Sequence, residues 1–283
     1  VQTRYRGDAT RLASGAATEK FDLVMTLGGD GTVNEAVNGL RAVADESERP
    51  ASELPALAAL PGGNANVFTR SLGLPPDPVD AAGRLIEDLA SGRERCIGLG
   101  TANGRYFTFN AGLGLDAEVV RAVEGRRAHG RALTPARYAR TALRQYFRVT
   151  DRRHPAISIT EPAGLCPDPV YLCIVSNSAP WTYLGSRPVH TNPDASFDTG
   201  LDLFALRSMR AASTLRTLRQ MLADRTVPPR GRGVRTAHDL AAITLAADRP
   251  VAFQVDGEYI GEADAVEFRD VPTALRVIGL PEN

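Results

Sequence analysis

Apolar positions in the first hundred residues follow two alternating periods. Phe21-Asp22-Leu23-Val24-Met25-Thr26-Leu27 reads as a short buried strand, after which Val33, Ala36, Val37 and Leu40 recur at helical spacing. Leu54 to Leu60 reads as a second buried strand. The loop Pro61-Gly62-Gly63-Asn64-Ala65-Asn66 follows, then a short helix from about Asn66 and a longer one from Val79 to Ala90, closed by Ser91-Gly92. Strands alternating with helices predict a parallel sheet covered by helices, a Rossmann-like α/β domain over residues 1–96. Beyond about Cys96 the runs become strand-like and are separated by turns: Tyr106 to Phe109, Ala156 to Thr160, Val170 to Ser176, Leu201 to Leu206, Ala241 to Ala246, Val251 to Val255, Ala265 to Phe268 and Leu275 to Ile278. They predict a second, mostly antiparallel β-sandwich domain over residues 97–283. Helical patterns at Arg137 to Phe147 and Ala211 to Ala223 interrupt it, and Arg225 to Arg235 reads as a mobile loop.

The junction of the first strand and helix carries the chemistry. In Leu27-Gly28-Gly29-Asp30-Gly31-Thr32-Val33-Asn34-Glu35 the glycines allow positive φ and close approach of a ligand to the backbone, and N–H groups at a helix start attract phosphate oxygens. Asp30 alone would repel those oxygens, so the arrangement calls for Mg2+ between carboxylate and phosphate. Thr32 and Glu35 also have the spacing of a capping box, which accounts for those two residues without any ligand. Ligands of parallel sheets bind beyond the carboxyl ends of the strands, so both glycine-rich loops are expected to face one nucleotide.

Composition narrows the partners. The 283 residues carry formal net charge +0, which gives no reason to expect a nucleic-acid partner. Cys96, Cys166 and Cys173 lack metal-ligand spacing and fit reduced core thiols of a cytoplasmic protein. No apolar run approaches the roughly 20 residues that span a bilayer, and no signal-peptide pattern opens the chain, so peripheral contact at an inner membrane face is the expectation. Arg121 to Arg153 is arginine-rich, with only Glu124 and Asp151 acidic. There Arg137, Arg140, Arg144 and Arg148 share one helical face, and Ala139, Leu143, Tyr146 and Phe147 another. Such a helix suits an anionic lipid surface, and equally a solvated face over a core stripe. Trp181 and Tyr183 fit the border of a lipid cleft or ordinary rim packing.

Gly28-Gly29-Asp30-Gly31-Thr32 with Asn34-Glu35, then Pro61-Gly62-Gly63-Asn64-Ala65-Asn66-Val67-Phe68, then Val255-Asp256-Gly257-Glu258 resemble, in this order, the bacterial diacylglycerol kinase family, which also includes sphingosine and ceramide kinases. Phe107-Thr108-Phe109-Asn110-Ala111-Gly112-Leu113-Gly114 resembles the family's entry into its second domain. The resemblance implies a kinase that uses ATP and Mg2+ and admits a lipid alcohol between its domains, with a homodimer compatible. Thr3, Gly28, Gly29, Asp30, Gly31, Thr32, Val33, Asn34, Glu35, Gly63, Asn64 and Asn66 match its nucleotide-binding positions. Asp30 matches a metal and catalytic position, Glu258 the general base, and Asp256 a residue that organises the base. Read alone, Asp256-Gly257 fits an ordinary hairpin turn better, and only the accompanying motifs reverse that.

The sequence also departs from the family. It opens after the point where the family has a first strand and an Asn-Pro-x-x-Gly loop, so the resemblance implies an incomplete ATP site in the sequence as it stands. Val67 and Gly98 stand where the family carries acidic side chains, and Asp198-Thr199-Gly200-Leu201 places Thr199 where an aspartate of a structural metal site is expected. Two further readings stay open: a catalytically weak or inactive member that binds lipid or nucleotide, and a kinase of a soluble substrate, since NAD kinases share the Gly-Gly-Asp-Gly loop.

Overall fold

The computed structural model describes residues 1–127, 154–161, 168–223 and 227–279. The helix expected from Arg137 to Phe147, most of the Arg121 to Arg153 stretch and Cys166 lie outside these residues.

The first third builds the expected alternation. It comprises α1 (Asp8–Thr18), β1 (Leu23–Gly28), α2 (Asp30–Ser47), β2 (Ala56–Pro61), α3 (Val67–Ser71) and α4 (Pro78–Ala90). β1 and β2 run parallel, from Leu23 opposite Ala56 to Gly28 opposite Pro61, so both glycine-rich loops leave the same end of the sheet. Val37 and Leu40 of α2, Leu57 of β2, Phe68 of α3 and Leu85 of α4 form one core. Helix α4 starts where the Asp77 side chain accepts the N–H groups of Val79 and Asp80, with Pro78 in the first turn.

The remainder is chiefly antiparallel. It comprises β3 (Glu94–Ala102), β4 (Arg105–Phe107), β5 (Asn110–Gly114), α5 (Leu115–Arg127), β6 (Ile157–Glu161), β7 (Leu172–Ser176), β8 (Thr182–Leu184), β9 (Arg187–Val189), β10 (Leu201–Leu206), α6 (Ala211–Met221), β11 (Val234–Leu240), β12 (Ala242–Val255) and β13 (Glu258–Ile278). A sheet path β1-β2-β13-β12-β5-β7-β10-β11 crosses the molecule; β3 joins it at β13 and β6 at β12, while β8 and β9 form a separate ribbon. A second core draws Phe107, Leu113, Val175, Leu203, Leu245, Val255 and Phe268 from strands on all sides.

Several local expectations change. β1 is not a buried strand: it ends the strand order, pairs only with β2 among the described residues, and leaves Met25 and Leu27 exposed. Ala241 to Ala246 and Val251 to Val255 belong to one strand, β12, and Ala265 to Phe268 and Leu275 to Ile278 to another, β13. Pairing resumes beyond register shifts at Ala246/Val251 and Val271/Leu275, so the polar interruptions are irregularities within strands. Val234 and Arg235, expected in a mobile loop, start β11. The boundary expected between residues 96 and 97 falls inside β3, and Leu275, Val277 and Ile278 return to the first core.

The capping box is also overturned. Gly29 precedes α2 without a side-chain cap, while Glu35 accepts the N–H groups of Gly7 and Ala9 and so fastens the start of α1. Nor do the glycines of the first loop adopt positive φ; Gly29 is extended, at φ −84 and ψ 179. What Gly28 and Gly29 provide is close approach by the second loop. A Cβ on Gly63 would lie 2.6 Å from the Gly29 Cα, and one on Gly62 would lie 2.9 Å from the Gly28 nitrogen.

Candidate active site

A cleft of about 580 Å³ opens beside the glycine loops. Gly29, Asp30, Gly31, Gly63 and Asn64 contribute to its lining. Phe109, Val120, Val123, Trp181 and Leu184 supply apolar lining, and Asp256, Gly257 and Glu258 border the same cleft.

Asp30 bridges the two loops. Its Oδ1 accepts the Phe68 N–H at 3.1 Å, which ties the start of α2 to the start of α3. Burial pushes its carboxyl up to about 6, against the lowering effect of the backbone N–H groups of Phe68 and Val67. Asn66 shapes the second loop. Its Oδ1 accepts the Gly63 N–H at 2.8 Å and its Nδ2 donates to the Gly63 carbonyl at 3.0 Å.

Asp256 works as a fastener. Its Oδ2 accepts from Asn34 Nδ2, Thr108 N and Thr108 Oγ1, and its Oδ1 from Phe109 N and Asn110 N, at 2.8 to 3.3 Å. With φ 48 at Asp256 and φ 72 at Gly257, the turn joins β12 to β13, with Val255 opposite Glu258. The hairpin reading and the organising role are therefore one arrangement: the turn presents Glu258, and Asn34 of α2 locks it to the first core.

Glu258 is half-buried. Burial raises its carboxyl above the ordinary range, while the guanidinium groups of Arg6 and Arg105 oppose that rise. Arg6 pairs with Oε1, and Arg105 approaches Oε2 at 3.1 Å while also donating to Asn34 Oδ1 at 2.7 Å. Sequence reasoning passed over Arg105. A signal was present, because Asn103-Gly104 is a hairpin-turn dipeptide, here with φ 48 and 82, and it sets Arg105 at the start of β4.

Asp116 was also passed over. Burial pushes its carboxyl up to about 6, and it borders the cleft at the start of α5. Gln254 Nε2 donates to Asp116 Oδ2 at 2.7 Å and to Asn110 Oδ1 at 2.9 Å, while Gln254 Oε1 accepts the Gly257 N–H at 2.8 Å. No spacing in the sequence joins positions 110, 116, 254 and 257.

The other matched positions divide. Gly28, Thr32, Val33, Asn34, Glu35 and Asn66 are not in the cleft lining; Asn34 fastens Asp256 and the Tyr106 carbonyl, Glu35 the start of α1, and Asn66 the second glycine loop. Thr3 is exposed and also outside the lining. Val67 is buried below Asp30, and Gly98 is buried in β3, where a Cβ would approach the Phe197 carbonyl oxygen at 3.0 Å. Both oxygens of Asp198 accept from Arg95. Trp181 and Tyr183 do border the cleft, and Arg70 of α3 stacks over the Tyr183 ring, 3.2 Å from its centroid, bracing the β8–β9 ribbon against the first core.

Residues 1–102 match the model of the diacylglycerol kinase catalytic domain. The chain is 42% identical over 113 residues to a diacylglycerol kinase of Bacillus subtilis (strain 168), a match covering 40% of this chain and 33% of that protein. It is 37% identical over 105 residues to a diacylglycerol kinase of Staphylococcus haemolyticus (strain JCSC1435), covering 37% and 28%. The matched segment thus spans about a third of the length of these curated relatives. Among solved structures, a diacylglycerol kinase from Bacillus anthracis str. Sterne superposes with TM-score 0.70 at 20% identity, over 99% of this chain and 84% of that one. A further structure from the same organism gives TM-score 0.74 at 23% identity, over 99% and 85%. At that identity the structures speak for the fold, whereas the sequence matches speak for the N-terminal domain. Residues 1–102 belong to the diacylglycerol kinase catalytic domain family, and the chain as a whole has the fold of the bacterial diacylglycerol kinases.

Proposed function

We propose that this chain is an ATP-dependent lipid kinase, transferring the γ-phosphoryl group to the hydroxyl of diacylglycerol or a similar lipid alcohol at an inner membrane face. The observation that carries the reading is the make-up of one cleft, whose lining combines the glycine loops, apolar side chains and Glu258. A lipid has an apolar surface to lie against, and its hydroxyl has a carboxylate to approach.

In this reading the loops carrying Gly29, Gly31, Gly63 and Asn64 hold the donor phosphates; the glycines let anionic oxygens approach the backbone closely, and Gly63, whose own N–H is taken by Asn66, serves by lacking a side chain. Among the described residues no group of three or more His, Cys, Asp or Glu side chains is gathered to hold a metal. One partly buried carboxylate, Asp30, suits Mg2+, which commonly takes one or two protein carboxylates and completes its shell with water and phosphate oxygens. When bound, the metal would neutralise charge on the transferred group. Glu258 accepts the hydroxyl proton as the alcohol oxygen bonds to the γ-phosphorus and the bond to the bridging oxygen of ADP breaks. Arg6 and Arg105 keep the Glu258 carboxylate ionised and aimed. Asp256 holds the turn and does not itself react.

The test is transfer of label from γ-labelled ATP, with Mg2+, to diacylglycerol in detergent micelles. Glu258→Gln should lower the rate by roughly 100-fold or more with nucleotide binding retained. Undiminished transfer by that variant would remove Glu258 as base. An intact chain that binds ATP but transfers to no alcohol would support the second reading, a binding member, which Val67 at a usually acidic position favours. Transfer to a soluble alcohol alone would support the third.

A further inference from the structure

Helix α6 is inside out. A surface helix ordinarily buries its leucines and exposes its polar residues. Here Thr217 and Met221 are buried and Ser213, Thr214 and Gln220 half-buried, while Leu215 and Leu218 stand 60% and 42% exposed. Ala211, Leu215 and Leu218 follow at spacings of four and three, so they form one outward stripe. Arg219 and then Arg216 follow on one side of it, also exposed.

Further cations are held on the side of α6 that follows Arg216 round the helix, away from the stripe. Gln220 Nε2 donates to the Arg230 carbonyl at 3.0 Å and Gln220 Oε1 accepts the Arg230 N–H at 2.9 Å, which fastens the segment carrying the exposed Arg230 and Arg232 along the helix. From Arg207 to Arg235 the only acidic residue in the sequence is Asp224. The far end of α6 reaches the cleft wall. The Met221 carbonyl accepts the His190 N–H at 2.9 Å, and Met221 packs in one cluster with Val189, Trp181 and Leu184.

We propose that the Leu215–Leu218 face of α6, with Arg219, Arg216 and then Arg230 and Arg232 to one side of it, docks the chain on an anionic lipid bilayer. The leucines enter the boundary between headgroups and acyl chains, and the guanidinium groups pair with lipid phosphates. A second copy is a poorer occupant, because this stretch offers a single acidic residue, Asp224, to meet the arginines of a partner. The purpose of the contact rests on the lipid-kinase reading: Trp181 and Leu184, supported by α6, line the cleft that a membrane-borne alcohol would enter.

Sedimentation with vesicles tests the proposal. The chain should bind vesicles of phosphatidylglycerol and phosphatidylcholine, with an affinity that falls as salt rises, and bind phosphatidylcholine vesicles at least about tenfold more weakly. Leu215→Gln with Leu218→Gln should weaken binding by roughly tenfold or more, and Arg216→Gln with Arg219→Gln should remove most of the preference for anionic vesicles. Both pairs are exposed, so circular dichroism should be unchanged. No binding by the intact chain, equal binding to both vesicles, or undiminished binding by the leucine variant would overturn the proposal. A dimer in sedimentation velocity that the leucine change dissociates, without vesicle binding, would assign the face to a second copy instead. The leucine variant should keep full transfer to diacylglycerol in detergent micelles. A chain inactive in micelles that still binds vesicles through these leucines would sink the kinase reading and leave the docking face standing.

Discussion

Glu258 is a carboxyl under opposed influences, and the balance between them can be measured. Burial raises its pKa, whereas Arg6 and Arg105 lower it. A base must be ionised to accept a proton, so activity falls as pH drops through its pKa. Arg105→Met removes one lowering charge, and the acid limb of the pH–rate profile should move to higher pH, by an amount limited by solvent screening of the pair. Arg105→Lys, which keeps the charge, should leave the limb near its original position. An unmoved limb in Arg105→Met would mean that Arg105 does not tune the base. At this scale the sequence was half legible. Asp30 and Glu258 carry chemistry recognisable from their neighbours in the chain, and both line the cleft. Asn34 and Glu35 lie beside the same motif, but one fastens Asp256 and the other fastens α1. A side chain's partner is whatever the fold brings near it, and adjacency in sequence does not supply that.

The loops show how the same residue type can meet different demands. Gly63 and Gly29 touch backbone to backbone, so Gly63→Ala must force the loops apart, because its Cβ would lie 2.6 Å from the Gly29 Cα. The expected cost is about 1–3 kcal/mol of stability, read by urea unfolding, with weaker nucleotide binding. Gly31 differs. It lies in α2, and a Cβ there meets nothing within 4 Å. Gly31→Ala should leave stability unchanged or raise it by up to about 1 kcal/mol, and any loss of nucleotide affinity would then report contact with the ligand. Strands and helices with clear periods, such as β7, β10 and α4, fall close to their expected limits. The joining of separate runs into β12 and β13 was not legible, because pairing with neighbours carries a strand through residues whose own preference is for a turn. The exposed leucines of α6 are a further case: the period announced a helix, and only its packing showed which face turns outward.

Across the whole molecule, β13 ties the two cores together. It leaves the Glu258 turn, contributes Val266 and Phe268 to the second core, and ends with Leu275, Val277 and Ile278 in the first. Val277 pairs with Leu57 of β2, and Asp256 receives Asn34 across the same junction. The chain should therefore unfold in one cooperative step. The urea transition of the Trp181 fluorescence should coincide with that of far-ultraviolet circular dichroism, whereas two separated midpoints would show that the cores unfold independently.

By itself the sequence determined the order of the α/β and antiparallel halves, through hydrophobic periods that act locally, and it singled out the glycine-framed Asp30 through residue types and Glu258 through the order of its motifs. Only the tertiary structure decided what these groups touch. The two glycine loops meet because parallel pairing brings β1 and β2 to a common end. Glu258 faces their cleft because Asp256 binds Asn34, 222 positions away. Arg105 and Asp116 acquire meaning from contacts closed through space, which no spacing along the chain encodes.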